Sequence, residues 1–196
     1  MTAYSEAADH FVNDNANSSA NRCLKVAAEL QVKVVLANPD ADDATKMDVL
    51  TSAQDKFASI GNSSLDNQLT KFSARNYFLQ AVLCALARDD SVAAERALDE
   101  YKSRDYSLEA SNEGKLAIAL VDAVSKQDVT AYTDAVYQFD SIKKLDPWHT
   151  NLLLAIKRLL GGGAQAAVGA DAVEASEGGA GAAAAGEEDD DELDLT

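Results

Sequence analysis

The stretch "SARNYFLQAVLCALARDD", residues 73–90, decides the fold. Tyr77, Phe78, Leu79, Val82, Leu83 and Leu86 put apolar side chains on nearly every side of a helical wheel, and Ala fills most of the gaps. A helix that is apolar all round has to be packed on both sides by other helices. The neighbouring sequence is therefore expected to supply helices before and after it.

It does so in both directions. "SSANRCLKVAAELQVKVVLA" (18–37) opens on a Ser N-cap candidate and ends before "NPD", where Pro39 closes the helix. "DADDATKMDVLTSAQDKFASIGNSS" (40–64) begins with acids in its first turn and is expected to stop at Gly61 and Asn62. Beyond the central stretch, "SVAAERALDEYKSR" (91–104) is shorter and more charged, and "EASNEGKLAIALVDAVSKQ" (109–127) repeats the small-residue character of 73–90. In "DVTAYTDAVYQFDSIKK" (128–144), Asp128 is the cap, and Val129, Tyr132, Val136, Phe139 and Ile142 recur every three or four residues and so share one face. "DPWHTNLLLAIKRLL" (146–160) starts with an Asp cap and Pro at the first helical position.

Seven or eight helices with short polar links result, and the more buried ones begin near 73 and 109, a spacing of 36 residues. That spacing suits a stack of helical hairpins, each burying its face against the next. The tetratricopeptide consensus is not legible, so the relation is one of architecture. The fold expected is all-α: a tetratricopeptide-like α-solenoid of antiparallel hairpins over 1–160, ending in a small helical bundle. Residues 161–186, rich in Gly and Ala and without a periodic apolar face, are expected to be a flexible tether. "EEDDDELDLT" (187–196), in which Leu193 and Leu195 stand among seven carboxylates, is expected to be an acidic, disordered terminal motif.

Charge narrows the function. The formal net charge is −16, and residues 161–196 hold ten acids and no Lys or Arg. An acidic chain lacks the clustered cations that displace counterions from nucleic acid, so no nucleic-acid partner is expected and a basic protein surface is. Cys23 and Cys84 lie in apolar helical sequence without a CxxC partner and read as reduced core residues of an intracellular protein. The start, "MTAYSEAADH", has no signal-peptide pattern, and no apolar run approaches the ~20 residues that span a bilayer. The expected location is cytoplasmic, touching membranes peripherally through partners.

Phosphate-binding, zinc-protease and nucleophile-elbow motifs are absent, and His10 and His149 have no second His or Cys at i+3 or i+4. No catalytic residue, metal or cofactor is expected. Trp148 reads as core, packed against the preceding helix pair. A small enzyme using Cys84 or His149 remains an alternative class, as does a generic hairpin scaffold.

"RNYFLQAVLCALARDD", with "NSSLDNQLTKFSAR" before it and "DVTAYTDAVYQFDSIKKLDPWHTNLLLAIKRLL" after it, resembles the carboxyl-terminal half of the alpha-SNAP family, the soluble N-ethylmaleimide-sensitive-factor attachment proteins. "YSEAADHFVNDNANSSANRCLKVAAEL" resembles a middle segment of the same family, so the likeness covers most of 4–160 and returns at the acidic end. It implies a non-enzymatic adaptor with two partners: syntaxin-type SNARE four-helix bundles and the hexameric N-ethylmaleimide-sensitive-factor ATPase. Carried over residue by residue, Arg22, Leu69, Phe72 and Arg75 match SNARE-facing positions. Asp89 and Asp122 match acidic ATPase-facing positions, and Asp191, Glu192, Asp194 and Leu195 belong to the terminal motif that meets the ATPase.

Departures from the family pattern are plain. Ser125 and Lys126 stand where acids are usual, Asn112 replaces a basic residue, and the segment around 32–48 and the tether are long. The family's amino-terminal hairpins have no counterpart before Tyr4, which fits either a naturally short member or a truncated gene model. A short member is expected to hold SNAREs weakly, and the alternative to the adaptor is a truncated regulator that binds the ATPase but barely engages SNAREs.

Overall fold

A computed structural model describes residues 2–14, 16–38 and 40–162. Among them all strand-forming positions are absent and eight α-helices follow one another: α1 (Thr2–Asn13), α2 (Asn17–Ala37), α3 (Asp43–Leu65), α4 (Ala74–Leu86), α5 (Ser91–Arg104), α6 (Asn112–Ser125), α7 (Val129–Ile142) and α8 (Pro147–Leu160). A short 3₁₀ turn, Lys71–Ser73, leads into α4.

Local chemistry sets four of the eight helix starts. Each free N–H at a helix beginning needs an acceptor, and here a side chain supplies it. Asp42 accepts from Thr45 N–H at 2.6 Å, Asp90 from Ala93 at 2.8 Å, Ser111 from Gly114 at 3.0 Å and Asp128 from Ala131 at 2.9 Å. The start of α2 differs from expectation: it begins at Asn17 behind Ala16, which gives no side-chain cap, and Ser18 already lies inside the helix.

The end of α3 also differs. Gly61 and Asn62 do not stop the helix, which continues to Leu65. Gly61 is buried instead, and a Cβ there would lie 2.5 Å from the Phe78 ring. The residue is small so that α4 can approach α3, a packing role that looks like a stop signal in sequence.

The central helix behaves as its composition demands. In α4 every residue from Phe78 to Leu86 is buried, and α3, α5, α6 and α8 all touch it. Phe78 stacks on Tyr101 of α5 with ring centroids 4.4 Å apart. Burying each large side chain contributes roughly 1.5–3 kcal/mol, so this one helix anchors both neighbouring hairpins.

The turns after α4 and α6 are built alike. Asp89 (φ 59°) and Gln127 (φ 56°) take left-handed conformations, and the next residues, Asp90 and Asp128, donate N–H back to Ala85 and Ala123 at 3.3 and 2.9 Å. This is the Schellman arrangement, which satisfies the last carbonyls of a helix. Asp90 and Asp128 then cap α5 and α7. The repeat is thus 38 residues, from Ala74 to Asn112 for the helix starts, and not 36. The difference arises because residues 105–111 form a turn-rich loop and Ser111, not Glu109, is the cap of α6.

The last helix closes the stack. α8 touches α7, α4 and α2, so it folds back over the array. Tyr132 of α7 donates its hydroxyl to Leu153 O at 3.0 Å. The Trp148 ring lies 5.6 Å from Phe57, so it reaches across to α3. On the expected apolar face of α7, Tyr132 and Phe139 are buried and Val129 and Val136 pack against the core, but Ile142 is exposed because the helix ends there. Cys84 is buried as expected, whereas Cys23 is only half-buried.

Candidate functional site

Successive helices joined by short turns run antiparallel, so alternate turns gather at the same end of the array. One end carries the turns before α4, α6 and α8. The other carries the turns after α4 and α6.

At the first end, the loop between α3 and α4 projects two apolar side chains, with Leu69 90% and Phe72 65% exposed. Nothing in folding favours such exposure, and a loop that carries it on a rigid frame is suited to contact. The frame is specific. Asn67 Oδ1 accepts from Leu69 N–H at 2.9 Å, and Thr70 Oγ1 donates to Ser64 O at 3.1 Å.

Arg75 completes this edge. Its guanidinium lies 5.3 Å from the centre of the Phe72 ring, a cation–π distance, and Lys71 Nζ lies 5.2 Å from the same ring. Arg75 also donates to Asp105 at 3.4 Å and Ser107 at 2.6 Å, which ties the start of α4 to the loop before α6. Arg22 is exposed on α2 and lines a groove of about 490 Å³ together with Thr70 and Ser73 of the same loop. All four expected SNARE-facing residues therefore border one edge.

A further aromatic belongs with them. Tyr106, 89% exposed, lies between Asp105 and Ser107, the two residues that hold Arg75. Its signal in sequence was an aromatic in the mostly polar run "SRDYSLEAS", which has no periodicity to explain it. Next to it, Lys143 donates to Glu113 at 2.8 Å and links the end of α7 to the start of α6. Burial by itself raises the Glu113 pKa, but the Lys143 hydrogen bond and charge, with a backbone bond, hold it below the usual carboxylate range.

At the opposite end, Asp89 is exposed at the left-handed position of its turn. Asp122 is exposed near the end of α6, so the two share this end, but they are not equivalent. Lys126 lies 2.7 Å from Asp122, and this exposed pair cancels charge without adding much stability. Asp191, Glu192, Asp194 and Leu195 lie outside the described residues.

The alternative chemistry finds little footing. The Cys84 thiol is fully buried, and burial pushes its pKa up to about 12, so a thiolate is not formed at neutral pH. His149 is buried against Gln80 at 3.3 Å, and desolvation lowers its pKa and favours the neutral ring. Among the described residues no group of three His, Cys, Asp or Glu side chains is placed to hold a metal, and no helix is long and apolar enough to cross a membrane.

Fold and edges together define a helical-hairpin array whose two ends expose different side chains. The family model "Soluble NSF attachment protein, SNAP" matches residues 1–160, and the chain belongs to that family. Among its relatives, the beta-soluble NSF attachment protein of Bos taurus is 38% identical over 160 residues, covering 81% of this chain and 49% of the relative. The vesicular-fusion protein SEC17 of Coprinopsis cinerea is 35% identical, covering 80% of this chain and 50% of the relative. The alpha-soluble NSF attachment protein of Homo sapiens is 34% identical, covering 81% and 49%. The chain spans about half the length of the curated relatives it matches.

Proposed function

We propose that the chain is a non-enzymatic adaptor in SNARE-complex disassembly, which binds SNARE four-helix bundles, including syntaxin-type bundles, and recruits the hexameric N-ethylmaleimide-sensitive-factor ATPase. Its place is the cytoplasm, peripherally associated with membranes through those partners. The observation that carries this reading is the edge of Arg22, Leu69, Phe72 and Arg75, where exposed apolar side chains and cations are held on a hydrogen-bonded frame. Apolar contact supplies affinity, and the cations select an acidic bundle surface.

The ATPase side rests on Asp89 and Asp122 on the array and on Asp191, Glu192, Asp194 and Leu195 in the terminal motif. Acids steer a basic partner toward the chain, and Leu195 adds the apolar contact that acids lack. In this reading 1–160 is the binding array, 161–186 the tether and 187–196 the motif it presents.

A second reading has the chain engage the ATPase while holding SNARE bundles weakly, as a regulator. It draws on Arg75, whose guanidinium is already shared with Asp105 and Ser107. ATP hydrolysis by the ATPase on a preassembled SNARE bundle tests both. The adaptor stimulates it and loses stimulation on Leu195→Ala, whereas the regulator retains the ATPase in a pull-down without the bundle and suppresses stimulation by a longer relative. Stimulation that survives Leu195→Ala removes the motif from the proposal.

A further inference from the structure

α2 and α8 cross with an open groove of about 710 Å³ between them. Its floor is apolar: Leu36 and Trp148 are half-buried, and Leu30 and Leu154 are 36% and 47% exposed. Its rim is charged. Lys25 is engaged by Glu29 at 3.6 Å, and Asp146 faces the buried His149 Nδ1 at 3.7 Å. Lys33 and Arg158 also line the groove, and neither forms an ion pair with a described residue. Apolar floor and two uncommitted cations call for a short segment that carries carboxylates and apolar anchors together.

The chain carries such a segment. In "EEDDDELDLT" (187–196), Leu193 and Leu195 lie among seven carboxylates. Leu193 follows Gly162 by 31 residues, a contour of roughly 100 Å. The groove runs along α8, whose 14 residues measure about 21 Å. Since α8 ends at Leu160 beside Arg158, the segment reaches the groove easily. Tethering at this range gives an effective concentration in the millimolar range, so even a weak intrinsic contact is populated.

We propose that this groove holds residues 187–196 of its own chain, with Leu193 and Leu195 on the apolar floor and the carboxylates facing Lys33 and Arg158. The contact is a self-latch: any partner that binds the acidic segment has to draw it from the groove first. It does not depend on which partner that is.

Trp148, the single tryptophan of the chain, lines the groove and reports on it. In the full chain its emission is expected to be blue-shifted. The shift should reverse in Leu193→Ala/Leu195→Ala and in Lys33→Glu/Arg158→Glu, with far-ultraviolet helicity unchanged in both. About 1 M salt, where the Debye length is about 3 Å, should weaken the effect. Carbodiimide should cross-link Lys25 or Lys33 to carboxylates of 187–194 within the monomer, at a yield independent of protein concentration. Identical Trp148 emission in all three proteins overturns the latch. Cross-links found only between two molecules also overturn it, and assign the groove to a second copy.

Discussion

The two ends of the hairpin array are made from the same helices but stabilised in different ways. At the Phe72 end the turns are tied sideways, by Arg75 to Asp105 and Ser107 and by Lys143 to Glu113, and apolar side chains point outward from the frame. At the Asp89 end a left-handed residue closes one helix and the next aspartate caps the following one; Arg88 of the turn after α4 also donates to Thr51 and Gln54 of α3 at 2.6 and 2.7 Å, whereas the turn after α6 makes its bonds within itself. The first end exposes what a core would bury, and the second exposes what water already solvates. Damage at the first should therefore spread between hairpins, whereas at the turn after α6 it should stay local.

The sharpest test of that contrast is Gly114→Ala. A Cβ at this position would sit 1.9 Å from the Leu108 carbonyl oxygen, so the loop over the start of α6 has to move. Urea denaturation should report a loss of about 3 kcal/mol or more, and the displaced loop should release Arg75 and weaken SNARE-bundle binding as well. Binding that remains intact after such a loss would break the sideways link.

Leu69→Ala with Phe72→Ala separates contact from stability at the same end. Both side chains are exposed, so the melting temperature should hold, while affinity for a SNARE bundle falls by about tenfold or more, which corresponds to about 1.4 kcal/mol. Unchanged affinity in a titration would remove this edge from the binding surface.

At the other end, Asp128→Ala deletes the bond to Ala131 N–H and should cost about 1 kcal/mol by chemical denaturation, with Phe72-edge binding unaffected. A loss of SNARE affinity in this variant would show that the ends are not independent. The smallest effect is the pH dependence of the Glu113–Lys143 tie. Because the folded pKa of Glu113 is depressed, its contribution is complete above the ordinary carboxylate value of about 4.3 and fades as pH falls through the lower folded value. Glu113→Gln should flatten that part of the acid limb of the stability curve, and an unaltered limb would show that the pair is silent.

Much of the fold was legible because its cues are local. The Asp128 cap, the acids that open 40–64 and the all-round apolar pattern of 73–90 act within a few residues, and helices form where those cues say. Gly61 misled for the opposite reason, since its smallness answers to the Phe78 ring on another helix. The 38-residue repeat was hidden by residues 105–111, whose length counts in the sequence but whose path follows Arg75. Of the site, the exposed Leu69 and Phe72 came from family likeness, while Tyr106 stood out only once Arg75 was seen to hold the residues on both sides of it.

By itself, the sequence determined the helices, the Asp128 cap, the apolar helix at the centre and the charge of the chain, because propensity, capping and burial periodicity are short-range properties of consecutive residues. Tertiary structure alone decided that α8 returns to α2, that Trp148 meets Phe57, and that Arg22 joins the loop 49 or so residues further on to border one edge. Those outcomes depend on which helical faces meet, and a face is chosen by the whole packed core at once and not by any single stretch of chain.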